Sequence, residues 1–180
     1  MKSRKKRGFT LVELMASLAV FIILTVTMVS MIMLAIKHNS INKQRYESDL
    51  NCKAAIELMK DSSNRPKNKG NRNGDYYFAF DNEADIKGFI SKFVDTADGS
   101  AGLEQFDSTI KLENSDGLAA AMQKVKDMYS DKKYAIILSS KWNDSNKLYE
   151  IELWSWDINK GRPSLINRKI LLRPSPDSTT

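Results

Sequence analysis

A single cysteine, Cys52, and a single histidine, His38, are all that the 180 residues offer of the two side chains most used for zinc binding and nucleophilic catalysis. One cysteine cannot close a disulfide within the chain, and one of each builds neither a zinc site nor a Cys/His dyad within a subunit. There is no G-x-x-x-x-G-K-[ST] run, so no P-loop holds nucleotide phosphates. DNEAD (81–85) resembles the opening of a calcium loop, but Ile86 stands where the turn of that loop needs glycine. Acid pairs such as Glu150 and Glu152 fit cross-strand charge pairing better than glycosidase chemistry. No catalytic residue, cofactor or metal is therefore expected, and the chain is read as non-enzymatic.

Glycine, proline and charge are missing together from one long stretch. From Phe9 to Ile36 the only ionisable side chain is Glu13, and Leu14 to Ile36 are 23 consecutive uncharged residues. As a helix they would extend about 35 Å, enough to span the roughly 30 Å hydrocarbon layer of a bilayer. A secretory signal peptide would have a shorter apolar core and a small-residue cleavage site, whereas this run ends in IKHNSINKQR. A plain single-pass anchor carrying a ligand-binding head fits the length but leaves Glu13 unexplained, because an acid at the membrane centre costs roughly 2.5–3.5 kcal/mol.

The formal net charge of +6 is also concentrated. Lys2, Arg4, Lys5, Lys6 and Arg7 lie in residues 1–8 with no acid among them, leaving 23 cations against 22 acids in the rest of the chain. Cations flanking an apolar segment predict a cytoplasmic N-terminus and place the residues beyond about 37 on the outer side of the membrane. The overall basicity is thus no argument for nucleic-acid binding.

The stretch KKRGFTLVEL (5–14) joins these features. It resembles the processing site of type IV prepilins and pseudopilins: a short basic leader ending in glycine, an aromatic residue, then an apolar segment with glutamate fifth after the cut. The resemblance is sharp over roughly residues 4–36. It implies cleavage between Gly8 and Phe9 by a membrane-bound prepilin peptidase, N-methylation of Phe9, and pairing of Glu13 with the N-terminal ammonium of an adjacent subunit. The implied partners are that peptidase, the membrane and other pilin or pseudopilin subunits in a helical filament on the cell surface. Two departures bear on the role. The stem has no Pro or Gly breaker, and one cysteine cannot clip the end of the head, so a minor subunit is expected before the major one. Competence or type II secretion pseudopilins are the alternatives.

The expected architecture is α+β: a leader at 1–8, a transmembrane half-helix at 9–36, an amphipathic half at 37–62 and a globular head at 63–180. Tyr46, Leu50, Ala54 and Leu58, widened by Cys52, Ile56 and Met59, form the stripe expected to pack beneath the head. SNRPKNKGNRNGD (63–75) reads as a basic loop whose Arg65, Lys67, Lys69 and Arg72 could meet DNA or an anionic surface polymer. A strand is predicted at 76–80, a helix at 85–95 with Ile86, Phe89, Ile90 and Phe93 inward, a strand at STIKLE (108–113), and a helix at 117–130 with Leu118, Met122, Val125 and Tyr129 inward. KYAIILSSKW, LYEIELWSWD and SLINRKILLR predict an antiparallel meander, with Glu152 opposite Lys169 and Ile151 opposite Ile170. Trp154 and Trp156 share a face with Glu150 and Glu152. Either a loop or the 117–130 helix covers them, or they form an exposed contact patch. RPSPDSTT at the end is expected to be disordered.

Overall fold

A computed structural model describes residues 10–61, 73–95, 103–107 and 110–174. The chain divides into two compact units, residues 1–40 and 41–180. One helix, α1 (Leu11–Lys60), contributes to both. It has no glycine or proline to interrupt it, and it is the one described helix long and apolar enough to cross a membrane.

In the second unit the chain continues through β1 (Gly74–Phe80), α2 (Glu83–Asp95), β2 (Glu104–Gln105), α3 (Ser115–Met128), β3 (Tyr134–Asn143), β4 (Leu148–Asp157) and β5 (Ile166–Leu172). The five strands form one sheet in the order β2-β1-β3-β4-β5, and every neighbouring pair is antiparallel. The architecture is α+β, with the last three strands as the predicted meander. Glu152 lies opposite Lys169 and Ile151 opposite Ile170, the register read from the strand alternation.

Local chemistry sets the two turns of the meander. Between β3 and β4, Asn143 Oδ1 accepts from the Ser145 and Asn146 amides, and Lys147 takes a left-handed φ of 53°. Between β4 and β5, Asp157 Oδ1 accepts from the Asn159 and Lys160 amides before Gly161 turns at φ 63°. A 3-10 turn, Arg162–Ser164, then feeds β5, and buried Ser164 donates from Oγ to Gly161 O. Short polar side chains bonding the local backbone favour such turns over continued strand.

The period-2 alternation of the strands divides the core between the two sheet faces. One face carries Tyr76, Phe80, Ile136, Leu138, Tyr149, Ile151 and Leu153, covered by the C-terminal part of α1 and by α2. Phe78 stacks on Phe89 of α2 at 5.0 Å between ring centroids. The other face carries Tyr77, Ala135, Ile137, Trp154 and Trp156 beneath Ala121, Met122 and Val125 of α3. Fully burying a side chain such as Ile136 or Leu138 contributes roughly 1.5–3 kcal/mol. Without a disulfide, these two clusters are what hold the unit together.

Three expectations are corrected. Of the expected stripe Cys52, Ile56 and Met59 are buried, but Tyr46 and Leu50 are 62% and 44% exposed, and Ser48 and Ala55 are buried in their place. Small residues on that flank let the helix backbone approach the sheet, which the bulkier stripe would have held off. The described residues of STIKLE, 110–113, are not strand: Ile110 and Lys111 lie outside regular structure and Leu112 and Glu113 form a turn, while β2 pairs with β1 through Glu104 and Gln105. Trp154 and Trp156 do not form an exposed patch, being 6% and 1% exposed, because α3 and Leu112 pack over them. Helix α2 buries the residues predicted for it, Ile86, Phe89, Ile90 and Phe93, while the segment 115–129 buries Met122 and Val125 and leaves Leu118 and Tyr129 half-buried against the same core.

Candidate functional site

Glu13 sits at the third position of α1, three residues after Thr10, the first residue described. Thr10 precedes the helix and exchanges hydrogen bonds with it: Glu13 N–H donates to Thr10 Oγ1 at 3.3 Å, while Thr10 N–H and Oγ1–H donate to Glu13 Oε2 at 3.2 and 3.1 Å. This reciprocal arrangement is a capping box, which satisfies amides that the first turn of a helix leaves without partners. The T-x-x-E spacing of Thr10 and Glu13 was present in the sequence as its signal.

Further along the apolar part of α1, every described hydroxyl is satisfied by the helix itself. Ser17 donates to Glu13 O at 2.7 Å, Thr25 to Phe21 O at 2.7 Å, Thr27 to Leu24 O at 2.8 Å and Ser30 to Val26 O at 2.9 Å. Back-bonded hydroxyls do not demand an outside partner. The rest of the surface is apolar and open, from Leu11 at 77% exposed to Ile36 at 64%. A helix apolar all round needs lipid or other helices around it. Among residues 10–36, Glu13 is thus the single group able to make a charged contact.

The second unit has its own surfaces. The α3-bearing sheet face also lines a groove of about 1150 Å³. Lys141, Glu150, Glu152, Trp154, Lys169 and Leu171 are among its lining residues. The charges are largely paired: Lys169 Nζ lies 2.8 Å from Glu152, Lys141 pairs with Glu113, and Asn143 donates to Glu150. On the other side, α1 is tied to the sheet by Tyr134 Oη donating to Glu47 Oε2 at 2.6 Å and Arg45 Nε donating to Pro163 O at 2.8 Å. Burial raises the Tyr134 phenol, and its bond to Glu47 raises it further. Among the described residues no cluster of three or more His, Cys, Asp or Glu could hold a metal ion.

Gly8 and Phe9 lie outside the described residues, as do Arg65, Lys67, Lys69 and Arg72 of the basic stretch. Sequence reasoning missed the groove, because its lining residues lie as far apart in the sequence as Gly74 and Leu171.

A family model described as the prokaryotic N-terminal methylation motif, the prepilin-type signal of type IV pilins and pseudopilins, matches residues 3–29. No curated protein and no solved structure matches the chain. The matched segment covers Arg4, Lys5, Lys6, Arg7, Gly8, Phe9, the capping box and most of the apolar half of α1. The motif implies processing by prepilin peptidase and assembly with other pilin subunits, which in this family is structural work and not catalysis.

Proposed function

We propose that this type IV pilin-like chain is a structural subunit, present in few copies, of a type IV pilus or a related filament. Prepilin peptidase cuts between Gly8 and Phe9 on the cytoplasmic side and Phe9 is N-methylated. The apolar half of α1 waits in the membrane and then joins a bundle of like helices, while the unit beginning near residue 41 stays at the filament surface. The observation that carries this reading is Glu13, the lone ionisable side chain in residues 10–36, the otherwise apolar and exposed first part of α1.

A stem leaving lipid for a helix bundle exchanges one apolar environment for another, so transfer of its leucines and isoleucines gives little net drive. Packing against neighbours supplies attraction, but apolar surfaces slide past one another without strong preference. A charge in a low-dielectric setting is costly alone and favourable when paired, so a missing partner is penalised by several kcal/mol. Glu13 meeting the ammonium of a neighbour's Phe9 therefore fixes the axial register. The missing stem breaker and the missing disulfide support a minor position over the major one. Residues 65–72 remain a candidate contact for DNA or an anionic polymer, which a competence pseudopilin would use.

The experiment is quantitative mass spectrometry of filaments sheared from cells, seeking a peptide that begins at methylated Phe9. A trace amount relative to other pilin-like chains fits a minor subunit, and a dominant amount makes it the major one. An intact N-terminus confined to membranes would leave a plain anchor, with the head as a ligand-binding module.

A further inference from the structure

We propose that the corner of the second unit carrying Arg45, Lys160 and Arg162 docks on the anionic phospholipid headgroups of the leaflet next to it. The proposal rests on the reading of the apolar half of α1 as held in a membrane. Residues 37–46, KHNSINKQRY, carry Lys37, His38, Lys43 and Arg45 with no acid among them. On the outer side, where the basic leader assigns them, segments flanking a span ordinarily lack a cation excess.

The fold adds cations from far along the chain. Arg45 Nε donates to Pro163 O at 2.8 Å, which seats the β4–β5 turn beside this part of α1. Lys160 stands in that turn, its amide donating to Asp157 Oδ1 at 3.2 Å, and Arg162 opens the 3-10 turn that follows. Arg162 Nη2 donates to Ser115 O at 3.0 Å. All three side chains are exposed, and among the described residues none meets a carboxylate. Lys53, Lys133, Arg168 and Lys169, by contrast, each lie within ion-pair distance of an acid. Nearby acids are occupied: Glu47 accepts from Tyr134 Oη, and Asp157, 7% exposed, accepts from the turn amides. Asp116, exposed beside Ser115, offsets part of one charge. Asp81, Glu83 and Asp85 gather instead around the connection from β1 to α2. Tyr46, exposed next to Arg45, supplies the amphipathic ring common at headgroup level.

Nine residues separate Arg45 from Ile36, the end of the apolar run. As helix that is about 14 Å, of which the headgroup layer takes about 5–8 Å. The remainder is comparable with the Debye length of about 8 Å at physiological salt, so unpaired cations there feel the headgroup field. Each such cation strengthens attachment about fivefold, which holds the head at the surface yet lets a growing filament take it.

Full-length protein carrying a fluorophore on Asn159→Cys is reconstituted in nanodiscs of phosphatidylcholine, or of two parts phosphatidylcholine to one part phosphatidylglycerol. Nitroxides on some headgroups quench the fluorophore when the turn approaches them. Cys52 is fully buried, which keeps the label on the turn. Expected is quenching that rises with phosphatidylglycerol and returns to the neutral-disc level in molar salt. Lys160→Gln, which removes a side chain that bonds nothing among the described residues, should weaken docking about fivefold. Arg45→Gln/Lys160→Gln/Arg162→Gln should abolish it, and Lys147→Gln, in the turn at the opposite end of β4, should leave it unchanged. Equal quenching in both lipids, or an equal loss in Lys147→Gln, overturns the docking site while the membrane reading stands. Single-stranded DNA bound by the native chain but not by Lys160→Gln, with quenching indifferent to lipid, also overturns it and makes the corner a nucleic-acid surface. A chain that does not incorporate into discs overturns the membrane reading, and the docking with it.

Discussion

Arg168 on β5 closes on Asp49 of α1 across 119 positions of sequence, its Nη2 and Nε lying 2.6 and 2.9 Å from Asp49 Oδ1. Lys53, one turn further along α1, sits 2.9 Å from the other oxygen. Burial pushes the Asp49 carboxyl up, but the bonds from Lys53 and Arg168 outweigh it and hold the acid below its ordinary range. A carboxyl lowered by folding stabilises above its unfolded value, here 3.8, and that contribution fades as pH falls through the lower folded value. We expect the unfolding midpoint of the detergent-solubilised protein, read by tryptophan fluorescence, to fall on acidification below about pH 4. Asp49→Asn should lose about 1 kcal/mol at neutral pH, the scale of a partly exposed pair. It should also flatten part of the acid slope. An unchanged slope would remove Asp49 from the account.

Two helical glycines should respond in opposite directions. A Cβ on Gly117 would lie 1.8 Å from Lys111 O and 2.7 Å from Asn114 Oδ1, the atom that caps α3 by accepting from the Gly117 amide. Gly117→Ala should cost about 1–3 kcal/mol through overpacking and loss of that cap. Gly88 in α2 has nothing within 4 Å of the same position, so Gly88→Ala should stabilise by about 0.5–1 kcal/mol. Urea midpoints followed by tryptophan fluorescence decide both. Equal shifts of one sign would contradict the packing described.

Trp156 tests whether the α3 side of the sheet is core or contact. It is 1% exposed, and Trp156→Ala should cost about 3–5 kcal/mol. That is a large share of the 5–15 kcal/mol typical of a whole domain. Near-UV circular dichroism should show a broadened or lost transition. A folded, fully stable variant with altered partner binding would instead restore the contact-patch role.

Cys52 should be chemically silent in the folded protein. Its side chain is fully buried, and burial pushes the thiol up to about 12, with Asp49 adding to the rise. Only the thiolate alkylates readily. Iodoacetamide at pH 8 should leave it unmodified until urea unfolds the chain, and mass spectrometry at each urea concentration should follow the fluorescence transition. Prompt labelling without denaturant would mean that α1 separates from the sheet.

Several features were legible in the residues themselves. The meander register came from the alternation of Tyr149, Ile151 and Leu153 with Glu150 and Glu152, because a strand that buries one face cannot slip by one position. Met122 and Val125 of α3 followed from helical period, whereas the capping box was overlooked although its T-x-x-E spacing was there to read. The stripe on α1 was misjudged because Tyr46 and Leu50 are large and apolar while Ser48 and Ala55 are small. Periodicity gives the existence of a buried flank, but close approach to a sheet favours the smaller residues. β2 was missed because Glu104 and Gln105 have weak strand preference and pair only because β1 offers them an edge.

The sequence by itself determined the membrane-length helix, the placement of one acid near its start, the processing signal and the three-stranded meander. Each follows from local charge, hydrophobic run length or period, properties that a segment possesses without its neighbours. Tertiary structure alone decided which flank of α1 is buried, that α3 covers Trp154 and Trp156, and that a groove remains beside it. Those outcomes depend on which surfaces meet, and surfaces far apart in sequence meet according to the volumes they must fill together.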